Sequence, residues 1–361
     1  MHSTAWRSGP RTNIRKERSM ANTEANSGTG GRRAPHAGRI GFIGLGRMGT
    51  AMAANLAAAG QEVVAFVRRS EQKRLLAALG LGPTTNFSDL FECELVISML
   101  PDDAAVEQIA FGQKDLGFAG LLMGLMPRAI HLSMSTISPT TASQLASEHA
   151  RNGQSYVAAP VFGNPDAAKA RQLFVIAAGT PPELARCQPI FDLVGQHTFT
   201  VGSTPATANL IKLAGNAMIA ANLEILGEIC ALARKRGLDA EELLAIMTGT
   251  MFGSRFLQVY GSKIAGQQYR TGGLVFPLAL KDMRLVLQEA EQAGVPMPTL
   301  SVVRDRFITG IARGYSELDW SALGLLAAEE AGLSVVAGKP PATTKLGSPT
   351  QQEALHARST R

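Results

Sequence analysis

Residues 39–60 read Arg-Ile-Gly-Phe-Ile-Gly-Leu-Gly-Arg-Met-Gly-Thr-Ala-Met-Ala-Ala-Asn-Leu-Ala-Ala-Ala-Gly. The apolar run up to Ile43 predicts a strand, Gly44, Gly46 and Gly49 a turn, and the alanine-rich stretch up to Gly60 a helix. A bare GxGxxG is weak, but between a strand and a helix it is the signature of a dinucleotide-binding turn. The first glycine allows the tight turn, the second lets backbone approach a pyrophosphate, and the third lets helix pack on strand. Free amides at the helix start would hold the phosphates. The plainer alternative is a glycine-rich turn in an ordinary βα unit.

Moving outward, Glu62–Val67 reads as a second strand with Arg68 and Arg69 at its end and no acid there. A carboxylate at that place would grip the ribose of NAD, whereas an arginine accommodates a 2′-phosphate. The expected cofactor is therefore NADP rather than NAD, although two solvated surface arginines would read the same. Leu95–Leu100 is a further apolar strand, stopped by Pro101 and followed by a helix containing Val106. Ala129–Leu132 is another, and Ser133–Pro139 then sets hydroxyls at its carboxyl end, where open α/β sheets bind ligands. Ser135 and Thr136 are therefore expected to touch cofactor or substrate, whereas Ser138 is explained by capping the helix that Pro139 begins. After a strand broken by Pro160, Gln172–Gly179 and Gln196–Val201 read as strands around a helix at Pro181–Val194. The alternation over 39–201 predicts an α/β, doubly wound parallel sheet.

Thr204–Gly237 reads as one long helix: Thr204 at the N-cap, Pro205 at the first position, three basic residues in the last turn, and Gly237 as the stop. Leu210, Leu213, Ala214, Ala217, Ala221 and Ile225 approximate helical spacing. Lys212 and Asn216 stand one turn apart on one face. Two explanations fit them: a polar stripe facing water, continued by Glu224 and Glu228, or a proton donor beside an amide that orients it. Four more helical segments follow, at Asp239–Met247, Phe256–Ala265, Leu278–Ala293 and Thr299–Arg313, so 204–335 is expected to be all-α. Lys281 and Asp282 interrupt an apolar series and read by default as an exposed pair.

The chain of 361 residues is long enough for two cores. Its net charge of +6 comes from the ends: residues 1–39 hold eight Arg and Lys against two Glu, and 338–361 hold four against one. The part expected to fold is slightly acidic, which excludes the basic footprint of a nucleic-acid binder. Residues 1–38 and 336–361 read as disordered extensions, 39–203 as the NADP-binding domain and 204–335 as a helical substrate and dimerisation domain. The three cysteines have no metal-ligand spacing, so no metal is expected and reduced thiols fit a cytoplasmic protein. There is no run of eighteen apolar residues, so no membrane span is expected.

Taken together and in order, these motifs resemble the β-hydroxyacid dehydrogenases, the group that includes 3-hydroxyisobutyrate dehydrogenase and the glyoxylate and semialdehyde reductases. The resemblance covers about residues 39–335. It implies that Leu45, Arg47 and Met48 join the three glycines in holding the cofactor. Leu100, Pro101, Val106 and Thr136 would be further cofactor contacts, with Lys281 as a late cofactor-side lysine. Ala159-Pro160-Val161-Phe162-Gly163-Asn164 is similar to the family's substrate loop, implying substrate contacts at Phe162, Gly163 and Asn164. Lys212 and Asn216 fall on the catalytic pair. One departure stands out: the family's loop usually carries a serine where this chain has Phe162, which cannot donate a hydrogen bond.

The implied activity is hydride transfer between NADP(H) and a small 3-hydroxyacid or aldehyde acid, with Lys212 as general acid or base. The rivals are an imine reductase, against which Lys212 argues, a sugar-phosphate decarboxylating dehydrogenase, for which no basic cluster is found, and a non-catalytic NADP-binding module. A homodimer or tetramer is expected from the length of the helix.

Overall fold

The computed structural model describes residues 38–113 and 118–334. The two expected disordered extensions lie outside these residues, apart from Gly38. The first strand β1 (Ile40–Ile43) leads through the glycine turn into α1 (Arg47–Ala58). Then come β2 (Val63–Phe66), α2 (Lys73–Ala77), β3 (Gly82–Thr84), β4 (Leu95–Ser98) and α3 (Asp103–Phe111). A small antiparallel pair, β5 (Gly112–Gln113) and β6 (Phe118–Ala119), precedes α4 (Leu121–Gly124). The lobe continues with β7 (Ile130–Ser133), α5 (Pro139–Arg151), β8 (Ser155–Ala158), β9 (Val161–Phe162), α6 (Pro165–Lys169), β10 (Leu173–Ala177), α7 (Pro181–Val194) and β11 (Gly195–Thr200).

Six strands make an all-parallel sheet in the order β3-β2-β1-β4-β7-β8. The strands are apolar on both faces because helices cover both. Phe42, Ile97 and Leu132 pack on α1 and α7 on one side, and Val64, Val96 and Leu90 fill the other. The order reverses between β1 and β4, so their carboxyl ends open the crevice where such sheets bind ligands.

The expected single sheet over 39–201 needs correction: β9, β10 and β11 form a separate three-stranded sheet, β10 parallel to β11 and antiparallel to β9. Pro160 has no amide for the ladder, and its carbonyl instead accepts the Ile176 amide at 2.9 Å, turning the chain out of the main sheet.

The helical lobe begins with α8 (Pro205–Lys235), about 46 Å long at 1.5 Å per residue. It closes on a Schellman motif: the Leu238 amide reaches the Ala233 carbonyl, the Gly237 amide reaches that of Arg234, and Gly237 sits at φ +77°. At the other end the structure corrects the expected cap, since the Thr204 side chain makes no capping hydrogen bond and the start rests on Pro205. The expected apolar stripe is also displaced. Leu213, Ala217, Ala220 and Leu223 are buried, while Leu210 and Ile225 are half exposed, because the helix is apolar on two sides and only one meets its own lobe. By length and composition α8 is apolar enough to cross a bilayer, yet half of that segment is buried within the protein.

Around α8 lie α9 (Ala240–Thr248), α10 (Ser262–Ala265), α11 (Phe276–Gln292), α12 (Pro298–Ala312) and α13 (Leu323–Glu330). A π-helical turn at Leu257–Gly261 occupies the front of the helix expected at Phe256–Ala265. Asp239 caps α9 as expected, its carboxylate accepting the amides of Glu241 and Glu242. The short α13 was not anticipated. It packs tightly along α8, where a Cβ on Gly227 would come within 2.7 Å of the Gly324 Cα.

Candidate active site

Lys212 emerges from the buried side of α8 and is 8% exposed. Its Nζ donates to Asn216 Oδ1 at 2.9 Å, one helical turn on, and Asn216 Nδ2 donates to Asp282 Oδ2 at 2.5 Å. Asp282 lies on α11 and is 2% exposed; its other oxygen pairs with Lys281 Nζ at 2.8 Å. Lys281 in turn donates to the carbonyl of Thr136, beyond β7. One polar chain thus ties the catalytic-looking lysine to the carboxyl end of the sheet. The water-facing stripe is ruled out by burial of Lys212, Asn216 and Glu224, the last paired with Arg306 at 2.6 Å; Glu228 alone is exposed. Nor is Lys281–Asp282 an exposed pair.

Burial pushes the Lys212 ammonium down to about 8, with Asp282 pulling against the fall and Lys281 adding to it. At neutral pH the group is a charged acid close to its own midpoint, which suits proton transfer in either direction. Leu210 on the same helix faces outward, and the Phe162 ring covers the ammonium, with its centroid 4.4 Å from Nζ.

Lys212 and Asn216 line a cavity of about 390 Å³ that reaches from the glycine turn to the helical lobe. Gly46, Arg47, Met48 and Gly49 form its sheet-side wall with Leu100, Pro101 and Thr136, and Phe162, Gly163, Asn164 and Lys281 also face it. The turn fits a dinucleotide. Gly44 stands at φ +92° with a would-be Cβ 2.2 Å from the Met99 carbonyl, and a Cβ on Gly49 would meet the Gly44 carbonyl at 2.0 Å. At Gly46, by contrast, the space within 4 Å is open, and α1 starts there with no side chain capping its amides. Open space over unsatisfied amides is what a pyrophosphate requires. Arg47 reaches across to the helical lobe, its guanidinium packed against Gly272.

Two assigned contacts are corrected. Val106 is fully buried on α3 in the core and does not line the cavity. Ser135 is 1% exposed: its hydroxyl accepts the Leu100 amide at 2.9 Å and donates to the Ser98 carbonyl at 3.3 Å, so it shapes the loop that Leu100 and Pro101 present. Gly44 and Leu45 shape the turn from behind, Leu45 packing on the core. Arg68 and Arg69 are exposed and line a separate surface hollow beyond β2 with Ser70, Glu71 and Gln72. Asn164 faces the cavity but accepts the Ala167 amide at 2.8 Å, capping α6. Asn55 of the glycine stretch holds that same helix, donating to the Ala168 carbonyl at 2.7 Å.

Sequence reasoning did not place Asp282, Tyr260, Lys263 or Trp320 in the site, though all four line it. Only Asp282 had a signal, as an acid interrupting the apolar side of a helix.

Residues 39–202 match the model for the NAD-binding domain of 6-phosphogluconate dehydrogenase. Residues 206–326 match that for the NAD-binding segment of NADP-dependent 3-hydroxyisobutyrate dehydrogenase. The chain is 36% identical over 286 residues to an uncharacterised oxidoreductase of Bacillus subtilis, covering 79% of this chain and 98% of that protein. The chain belongs to the β-hydroxyacid dehydrogenase family. Within it, 2-hydroxy-3-oxopropionate reductase of Escherichia coli is 30% identical, over 79% of this chain and 95% of the relative. Among solved structures, Mycobacterium tuberculosis 3-hydroxyisobutyrate dehydrogenase superposes with TM-score 0.71 at 26% identity, over 80% of this chain and 98% of the other. An imine reductase of Streptomyces aurantiacus shares the fold at TM-score 0.53 and 22% identity. This β-hydroxyacid dehydrogenase family member is thus an NAD(P)-dependent dehydrogenase or reductase built on a parallel NAD-binding sheet and a helical lobe.

Proposed function

We propose that the enzyme uses NADP(H) to interconvert a carbonyl and an alcohol on a small 3-hydroxyacid or aldehyde acid, with Lys212 as the proton donor and acceptor. The observation that carries this reading is a buried ammonium, lowered to about 8, in the wall of a cavity that also contains the glycine turn. The name of the Escherichia coli relative supports an aldehyde acid as substrate.

The glycine turn and the first amides of α1 would hold the pyrophosphate, with Leu100, Pro101 and Thr136 beside it. When bound, the nicotinamide supplies the hydride for reduction or takes it in oxidation. In reduction the carbonyl carbon gains the hydride, the π electrons move to oxygen, and that oxygen takes a proton from Lys212 Nζ. Asn216 holds the ammonium in place through its side-chain oxygen, and Asp282 fixes the Asn216 amide so that this oxygen faces the lysine. In oxidation the neutral amine removes the hydroxyl proton.

Arg68 and Arg69 supply two guanidinium groups and no strand-end acid where β2 stops, which favours a 2′-phosphate. Arg68→Ala is expected to raise the KM for NADPH at least tenfold more than that for NADH, the scale of one charge-assisted hydrogen bond. Equal effects would remove the arginine from cofactor selection. The activity is read as NADPH consumption against glyoxylate, succinic semialdehyde, larger aldehydes and cyclic imines; reduction of the imines alone would overturn the assignment. Met218, Ile225, Ile229 and Leu232 leave an exposed apolar row on α8, which supports a homodimer or tetramer.

A further inference from the structure

Besides Lys212 and Lys281, a third lysine ammonium lines the cavity. Lys263 on α10 has a side chain only 14% exposed, and its Nζ pairs with Asp319 Oδ2 at 3.0 Å. Asp319 is itself fully committed. Its Oδ1 accepts the Ser321 amide at 2.9 Å, and Oδ2 also faces the Thr271 hydroxyl at 3.5 Å. A carboxylate held by that amide and that hydroxyl fixes the ammonium in turn, and an ammonium has three donors of which Asp319 takes one. The Tyr260 ring centroid lies 5.4 Å from the Lys263 Nζ, and Ile219, Leu274 and Trp320 add further apolar and aromatic wall to the same cavity.

The Lys212 end is different. Phe162 offers no hydrogen bond, Gly163 has no side chain, and Asn164, whose oxygen caps α6, has only its Nδ2 donors to turn to a ligand. The Phe162 ring is seated in a notch that α8 leaves at Gly215, where a Cβ would lie 2.3 Å from a ring carbon. Any larger residue at 215 would expel the ring, so the two positions depend on each other. An acid group attached directly to the reacting carbon would therefore meet a phenyl ring from this loop, while a cation waits elsewhere in the same cavity.

We propose that Lys263 binds the carboxylate of the substrate, and that the substrate is an aldehyde acid whose carboxylate is separated from the reacting carbonyl by an apolar spacer. The spacer lies along the aromatic wall, and Phe162 selects against short acids at the reacting end. The proposal rests on the hydride-transfer reading for its chemistry, but its binding half can be tested apart from it.

Calorimetry with NADP⁺ present and pentanoate as probe, which has the acid and the spacer but no carbonyl, reads that half. Pentanoate is expected to bind the wild type and Lys263→Arg, and to bind Lys263→Met roughly tenfold to a hundredfold more weakly. The Lys263→Met/Asp319→Asn double variant, which leaves no unpaired buried carboxylate, keeps the test valid where the single variant does not fold. Binding of pentanoate that is unchanged in the double variant, or absent from the wild type at millimolar concentrations, overturns the proposal. In turnover, 5-oxopentanoate is expected to be preferred to glyoxylate, Phe162→Ser to narrow that preference, and Lys263→Met to lower the preference for 5-oxopentanoate over pentanal at least tenfold. Glyoxylate as the better substrate also overturns it. Loss of pentanoate binding in the variants with no carbonyl reduced by any form would sink the hydride-transfer reading and leave the Lys263 site standing. Turnover with Lys263-independent binding would do the reverse.

Discussion

Among the described residues, two buried chains of hydrogen bonds have opposite characters. One is Lys212–Asn216–Asp282–Lys281, which carries charge and opens on the cavity. The other is Ser98–His131–His149–Gln154, sealed within the sheet lobe. Its direction follows from one end. Gln154 spends its amide group on the carbonyls of Leu122 and Leu125, so its oxygen must accept from His149 Nδ1. His149 Nε2 then accepts from His131 Nδ1, and His131 Nε2 accepts from the Ser98 hydroxyl. Both imidazoles are neutral and every link is satisfied. Burial pushes His149 down to about 4, with the Gln154 bond opposing it, and holds His131 well below the ordinary histidine range, helped by His149. Burial and a shifted pKa therefore mark both chains, and access to a ligand marks only one. A buried polar network is a site when a cavity reaches it and a charge is left in it.

The comparison breaks most readily at Lys212. Lys212→Ala is expected to lower turnover by roughly a hundredfold or more while NADPH affinity, measured by fluorescence titration, stays near wild type. Asp282→Asn tests the chain rather than its end. It removes the attraction that opposes the fall of the lysine pKa, so the pH limb assigned to Lys212 moves below 8, with turnover down about tenfold at neutral pH. A structural role alone would change turnover and leave the limb in place.

His149→Gln should leave turnover within about threefold and act on stability instead. The folded His149 stays neutral down to about 4 while the unfolded residue takes a proton near 6.5, so the unfolded state binds more protons between those values. Stability thus falls as pH drops through that window, by roughly 3 kcal/mol for a shift of this size. Denaturant titrations from pH 4 to 7 are expected to show that slope in the wild type and a flatter one in the variant. For Lys212 the sign is the same and the window differs: the folded pKa near 8 lies under the unfolded 10.5, so stability rises with pH between them. A slope unchanged by His149→Gln would place the acid sensitivity elsewhere.

The first chain was partly legible in the sequence and the second was not. The glycine turn is local, since Gly44, Gly46 and Gly49 do their work within one βα unit. Lys212 and Asn216 announce themselves by helical spacing. Asp282 is 66 positions from Asn216 and Asp319 is 56 from Lys263, so no local pattern joins them. Hydroxyls at strand ends misled for the same reason: the Ser135 hydroxyl serves the Leu100 amide, a partner only the folded sheet supplies. The notch at Gly215 that admits Phe162 is invisible until α8 meets the loop after β8, and the split into two sheets follows from where the Pro160 carbonyl finds its donor.

The central claim is that a buried lysine with a lowered pKa supplies the proton. The pH dependence of kcat for NADPH-driven reduction, taken from pH 6 to 10 on wild type and Lys212→Ala, addresses it most directly. The account predicts a fall above an apparent pKa of about 8 in the wild type, and none in the residual activity of the variant. A wild-type profile flat to pH 10, or the same limb surviving in Lys212→Ala, would contradict it.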